Sequence, residues 1–235
     1  NQAEKVKSVK IEAVKFPEED FVKRFFRFDL GGHFSSFSGV NEFNNSKSEF
    51  INEGDIGFGV KLNYATSKNT FSLGLDYREY KLVQPLSGSI DDSNFSLSEY
   101  SMSYMRKFHR YFQAGLVMGY GTDIFQQSKG NGTSSIGMLK VQKSKLGFSL
   151  GSNLYKSKEL EVKTRIEYFQ NKFQASEDSS LKVGSTKKAG LEFIFPIGTN
   201  EIGTNIFIEE STKNSDTYEL IENTNGALIF YNIGF

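Results

Sequence analysis

The chain has 235 residues, enough for one or two domains, and its 28 Lys+Arg against 28 Asp+Glu leave no net formal charge. That balance argues against nucleic acid as a partner, which would require a clustered basic excess, and it supplies no polybasic membrane-surface module. The absence of Cys removes disulfides, thiol catalysis and Cys-ligated metals, and with His33 and His109 as the two histidines a site built mainly from imidazoles is close to excluded.

Residues 1–20 stand apart from the rest. Val6, Val9, Ala13 and Val14 recur among Lys5, Lys7, Lys10 and Lys15 at a loose helical spacing. We expect an N-terminal periplasmic segment here, or one that plugs a lumen or joins an oligomer contact. The sequence starts at Asn1 with no Met and no basic-then-apolar leader, and we expect a mature form whose secretion signal peptide has been removed or left out. From residue 21 onward the dominant signal is period-two alternation, the mark of strands with two unlike faces. Phe26, Phe28 and Leu30 open it. In the run Ile56–Tyr64 every even position is apolar and every odd one is Gly, Lys or Asn. Phe71, Leu73, Leu75 and Tyr77 follow, then Tyr100, Met102 and Tyr104, then Phe112 to Tyr120 on even positions. Leu146, Phe148 and Leu150 come next, then Leu160 to Tyr168, Ala189 to Phe195, Ile202 to Ile208 and Ala227 to Phe235.

The spacing predicts ten strands over residues 21–235. Short connections near residues 67–69, 107–110, 156–159 and 197–200 alternate with long polar ones near 39–53, 84–94, 126–144, 171–185 and 211–225. Residues Ile136–Val141 read as a further hairpin arm within the third long loop. The longest stretch free of Asp, Glu, Lys and Arg is Asn223–Phe235, 13 residues, and a spanning helix needs about 20. An even-stranded meander with turns at one mouth and loops at the other fits an antiparallel up-and-down transmembrane β-barrel with its apolar face to lipid. In a soluble ligand-binding β-barrel, the competing architecture, the apolar face would point inward. Two features favour lipid: a polar face of Gly, Ser and Asn mixed with charges of both signs, and Tyr64, Tyr77, Tyr104, Tyr120 and Tyr168 near strand ends. The lack of Trp is a point against an aromatic girdle.

The third feature is the end of the chain. Ala227, Ile229, Tyr231, Ile233 and Phe235 place apolar or aromatic residues at alternate positions before a terminal aromatic. This resembles the closing strand of bacterial outer-membrane β-barrel proteins, which the barrel assembly machinery reads; Phe230 stands where that signal commonly carries Gly. The resemblance implies a bacterial outer-membrane location, short turns and N-terminus periplasmic, long loops extracellular, and as partners membrane lipid and the assembly machinery. It implies no activity, because the fold hosts pores, enzymes, adhesins and inert scaffolds.

The expected lumen charges are Asp29, Asp55, Lys61, Asp76, Arg78, Glu161, Lys163, Arg165, Glu167, Lys188 and Glu192. Paired across strands they form a plug, since unpaired buried charges are costly; segregated by sign they set ion selectivity. Their near balance and the size of a ten-stranded barrel favour the plug. His33, on one face with Asp29 and Ser35, is the only candidate base for a rim-site protease or lipid hydrolase. His109 falls in a turn, and the loop acids Asp91, Asp92, Glu177 and Asp178 lack the ligand spacing of a calcium site. No cofactor, metal site or catalytic residue is expected. The function expected is a non-enzymatic barrel, structural and loop-presenting or porin-like with a narrow lumen. Leu228 and Phe230 make the last strand apolar on both faces, which fits an inner apolar layer, contact with residues 1–20, or a homo-oligomer.

Overall fold

The computed structural model describes residues 22–41, 47–52, 54–83, 94–109, 111–128, 136–174, 183–214 and 218–235. Residues 1–20, set apart above, and the four loop acids lie outside these. Alternating polarity builds sheet, because every second side chain meets the same environment. Eleven strands form: β1 (Lys23–Asn41), β2 (Lys47–Asn52), β3 (Asp55–Ala65), β4 (Asn69–Val83), β5 (Asn94–His109), β6 (Phe112–Ser128), β7 (Ile136–Lys156), β8 (Glu161–Gln174), β9 (Val183–Ile197), β10 (Asn200–Asn214) and β11 (Tyr218–Gly234). All pairings are antiparallel, and β1 pairs with β11 from Phe25↔Gly234 to Asn41↔Tyr218, so the sheet closes on itself. Closure leaves no free edge.

β2 and β3 share one place in the ring, since both pair with β1 and β4. They part at Gly54, whose φ of 92° is open to glycine and where a Cβ would overlap the Phe34 ring. The ring is thus ten strands around, with one strand interrupted.

The outer surface carries a continuous apolar belt. Phe26, Phe28, Leu30 and Phe34 on β1, Leu116, Met118 and Tyr120 on β6, Ile229, Tyr231 and Ile233 on β11, and Phe235 just after it all face outward and exposed. A ring of this kind exceeds any patch that a soluble monomer leaves in water, which sets the soluble barrel aside. Phenols at the margins of the belt find polar partners: Tyr104 donates to Asn69 Oδ1 at 2.8 Å, Tyr231 accepts from Asn200 at 2.9 Å, and Tyr77 donates to Glu79 at 3.0 Å. Such rings suit a wet–apolar boundary. Among the described residues no helix is long and apolar enough to cross a membrane. The strands cross instead, with every backbone group in hydrocarbon paired within the sheet.

The strands are longer than a bilayer needs. A spanning strand takes roughly 9–11 residues, whereas β1 has 19 and β7 has 21. The surplus extends past the belt at the end with the long connections, into sequence read above as loop. There the polarity inverts. Ser36, Glu79, Ser96, Gln170 and Lys187 point to solvent, while Phe37, Phe50, Tyr80, Leu82, Leu97, Phe173 and Leu220 pack inside. The same strand therefore changes its apolar side: Phe34 outward and Phe37 inward on β1, Tyr77 outward and Tyr80 inward on β4.

The β6–β7 hairpin leaves the wall at this level. β6 keeps its ladder with β7 out to Ser128↔Ile136, but its pairing with β5 stops at Glu99↔Gly121 although β5 runs on to Asn94. Ile124 and Phe125 are adjacent, so they point to opposite faces, yet they are 0% and 4% exposed. A hairpin buried on both faces lies inside the mouth, and it brings β6 against β11 on the opposite wall. The further arm expected at Ile136–Val141 is the returning half of this inward hairpin. Where β6 departs, the Thr122 hydroxyl takes over the β5 ladder by accepting from the Ser98 N–H at 3.0 Å.

Candidate functional site

Because the outer face is committed to lipid, the chemistry of the chain is concentrated in the lumen. A polar layer fills it at mid-height, and Arg27 is its hub. Arg27 donates from Nε to Asp29 at 2.8 Å and from Nη1 to Glu192 at 2.7 Å, with its guanidinium 3.8 Å over the Phe230 ring. Lys61 sits between Asp29 at 3.6 Å and Asp76 at 3.5 Å. Arg78 and Lys188 share Glu209, at 3.7 and 3.4 Å. Glu99 meets Lys145 and also Lys143 at 3.2 Å. On β8 the pairs lie along one strand: Lys163 with Glu161 at 3.1 Å, and Arg165 with Glu167 at 3.7 Å. Asp55 accepts from the backbone N–H of Lys81 at the upper edge.

Sequence reasoning missed several members. Arg27, Glu99, Lys145 and Glu209 sit on the polar faces of strands whose apolar faces had been read, so the alternation carried the signal. Lys143, Lys213 and Glu222 fall in stretches read as loop, and Asp123 lies between the last alternating residue of its strand, Tyr120, and such a stretch.

Those four form a second cluster above the belt. Lys213 is fully buried, and its three N–H groups go to Asp123 at 2.5 Å, Glu222 at 2.9 Å and the Ile124 carbonyl at 3.0 Å. Lys143 reaches Asp123 at 3.0 Å, and Tyr80 donates to Glu222 at 3.2 Å. Burial by itself would raise the Asp123 carboxyl, but Lys143 and Lys213 outweigh it and hold it below the usual carboxylate range. Burial, joined by the Glu222 charge, pushes the Tyr80 phenol above its ordinary value. Since Asp123 and Ile124 belong to the inward hairpin and Lys213 to β10, this cluster clasps the hairpin to the wall.

Free space is unequal on the two sides of the mid-height layer. Above it, a void of about 40 Å³ lies between Arg78, Glu99, Glu209 and Asp123, enough for a few waters. Below it, a cavity of about 580 Å³ runs toward the end with the short turns.

His33 is 2% exposed, edge-on to Tyr80 with ring centroids 4.8 Å apart, and its Nε2 has no hydrogen-bond partner. It lies in the inner wall below the apolar cap, away from either rim. Ser35 is hydrogen-bonded to Thr224 at 2.7 Å. His109 is exposed at a short turn. Ile229, Tyr231, Ile233 and Phe235 all face outward, and Phe235 stacks on Phe26 at 5.2 Å across the closing seam.

No protein-family model and no curated protein matches the chain. Among solved structures it is similar to the outer membrane protease OmpT from Escherichia coli, at 8% identity and a TM-score of 0.52, over 95% of this chain and 99% of that one. It is also matched with the beta domain of the Bordetella autotransporter BrkA, at 11% identity and a TM-score of 0.42, over 86% of this chain and 98% of that one. A further match is the attachment invasion locus protein Ail of Yersinia pestis, at 10% identity and a TM-score of 0.31, over 89% and 98%. At such identities a likeness speaks of fold alone, and here it agrees with the closed ring, the outward belt and the polar lumen: the chain has the fold of the bacterial outer-membrane β-barrel proteins.

Proposed function

We propose that this protein is a non-enzymatic outer-membrane barrel, a structural and loop-presenting scaffold with a closed, charge-paired lumen. The observation that carries this reading is the filling of the lumen at two levels: the Arg27–Arg78 charge layer at mid-height and the inward hairpin clasped by Lys213 above it. A porin-like role needs a continuous water path, and open aqueous channels belong to barrels of about 16 strands. In this reading the short turns and residues 1–20 are periplasmic and the long connections extracellular. Its partners are membrane lipid and the assembly machinery, with a homo-oligomer as a further expectation from the two-sided last strand. The burial of His33 supports the non-enzymatic assignment, because a rim hydrolase needs its base open to substrate.

The test is conductance of the purified protein in planar bilayers. Small or absent currents with little ion preference are expected. Large, stable, ion-selective currents would overturn the scaffold reading and make the same charges the lining of a pore.

A further inference from the structure

The lumen charges balance overall but not along the barrel axis. The small upper void is walled by five carboxylates, including Glu99, Asp123 and Glu209, and by two cations, Arg78 and Lys143. The 580 Å³ lower cavity is walled by nine Lys and Arg side chains and four Glu. Asp29, Asp76, Glu99 and Glu209, beyond that wall, offset Arg27, Lys61, Lys145 and Lys188. A cationic surplus remains, and it gathers toward the mouth with the short turns. Lys156 and Lys163 share a single carboxylate, Glu161, at 3.6 and 3.1 Å. The Lys107 side chain lines the same cavity and makes no direct ion pair among the described residues; Glu161, which acts on it from farther away, is the carboxylate that Lys156 and Lys163 already share. These cations face inward, whereas Arg24, over the Tyr64 ring, and Arg106 alternate with them on the outer face, where lipid headgroups would be met.

A second, independent feature points the same way. Asn63 lines the cavity and is 7% exposed. Its Oδ1 accepts from Ser72 at 2.6 Å, and its Nδ2 donor has no partner among the described residues. A buried donor left without a partner costs free energy that a bound acceptor recovers.

We propose that the lower cavity is a binding site for a phosphate-type oxyanion, held by Lys107, Lys156 and Lys163 at the mouth and hydrogen-bonded by Asn63 deeper in. The volume suits a small solute, and lysines serve as point-charge ligands for phosphate. The site needs no path through the upper lumen, so it stands whether or not the barrel conducts.

The probe is pyrophosphate, titrated calorimetrically into the full chain in dodecyl maltoside, in phosphatidylcholine nanodiscs, and in nanodiscs that also hold phosphatidylglycerol. Saturable binding that weakens as salt rises is expected in detergent and in phosphatidylcholine. Lys107→Gln with Lys163→Gln should weaken it at least tenfold, and Asn63→Asp, which replaces the free donor by a like charge, should do the same. Heat-modifiable migration reports whether each variant is still a closed barrel, and a variant that fails this control is replaced by the single Lys107→Gln, which breaks no pair. Loss of pyrophosphate binding only when phosphatidylglycerol is present would assign the site to a lipid headgroup phosphate; unchanged binding would assign it to a soluble one. No saturable binding in detergent, or binding indifferent to these substitutions, would overturn the proposal.

Discussion

At the scale of single residues, Lys213 shows how the molecule solves the cost of buried charge. Its ammonium has three donors and finds three acceptors, two of them carboxylates, in a site without solvent contact. Removing the cation would leave Glu222 without a cationic partner among the described residues and Asp123 with Lys143 alone, and breaking a buried pair from one side costs about 3–5 kcal/mol. We expect Lys213→Met to lower the temperature at which heat-modifiable migration is lost; an unchanged transition would mean that the clasp contributes little. The same site predicts a pH dependence. Asp123 is held below its unfolded value, so its stabilising contribution is complete above about pH 4, the ordinary carboxylate value, and fades as pH falls through the lower folded one. Acid should therefore weaken the wild type more than an Asp123→Asn variant between about pH 4 and 2, as read by thermal melts at stepped pH. Lys213 is shifted up, against the effect of its burial, by Asp123 and Glu222, so its own contribution persists through neutral pH and fades only in strong alkali.

At the scale of elements, the inward hairpin depends on the point where β6 turns off the wall. Gly121 is the last β6 residue paired with β5, and a Cβ there would overlap the Ser98 carbonyl and lie 2.7 Å from the Glu99 Cα. Backbone atoms cannot yield as a flexible side chain can. Gly121→Ala should therefore push β6 off β5 and destabilise the assembled barrel by about 1–3 kcal/mol, measured as a lower unfolding midpoint in detergent. The closing strand makes a different prediction. Phe235 lies at the margin of the belt, where a charge costs only about 0–1 kcal/mol. If Phe235→Lys nevertheless abolishes assembled protein in the outer membrane, the residue is being read by the assembly machinery; normal surface levels would argue against that role. The strands were legible where one face meets lipid, because alternation is strict there. The extensions were not, because the apolar side changes parity between Tyr77 and Tyr80 and between Tyr168 and Phe173. Read in one register, such a stretch looks like a polar loop. Two short alternating runs of opposite parity, separated by a step of three or five residues, are the signal that would have found them.

At the scale of the whole molecule, one closed sheet passes through two solvents and inverts its polarity at the boundary. Within the belt the outer face meets lipid, so the charged side chains gather in the lumen among Met105, Val117, Phe169 and Phe230; past the belt the outer face is wetted, and the lumen collects the aromatic and aliphatic side chains that form the inner core. The fold class was readable from the sequence because this constraint acts on every strand. The candidate site was readable only as a set of inward charges, because which cation meets which carboxylate depends on ring closure: Arg27 and Glu192 are 165 positions apart and meet across the lumen. The two fillings of the lumen, one above the other, give the last prediction. Replacing residues 123–141 by a short Gly-Ser turn removes the hairpin and the Asp123 half of the clasp, but it leaves Arg27, Lys61, Arg78, Lys188 and Glu209 in place. We expect this variant to stay nearly silent in planar bilayers. Adding Arg78→Ala, which frees Glu209 from one of its two cations and opens space beside the 40 Å³ void, should give small, discrete currents. If the hairpin deletion alone conducts freely, the mid-height charge layer is not a barrier, and the hairpin is the gate of a pore rather than the cap on a filled barrel.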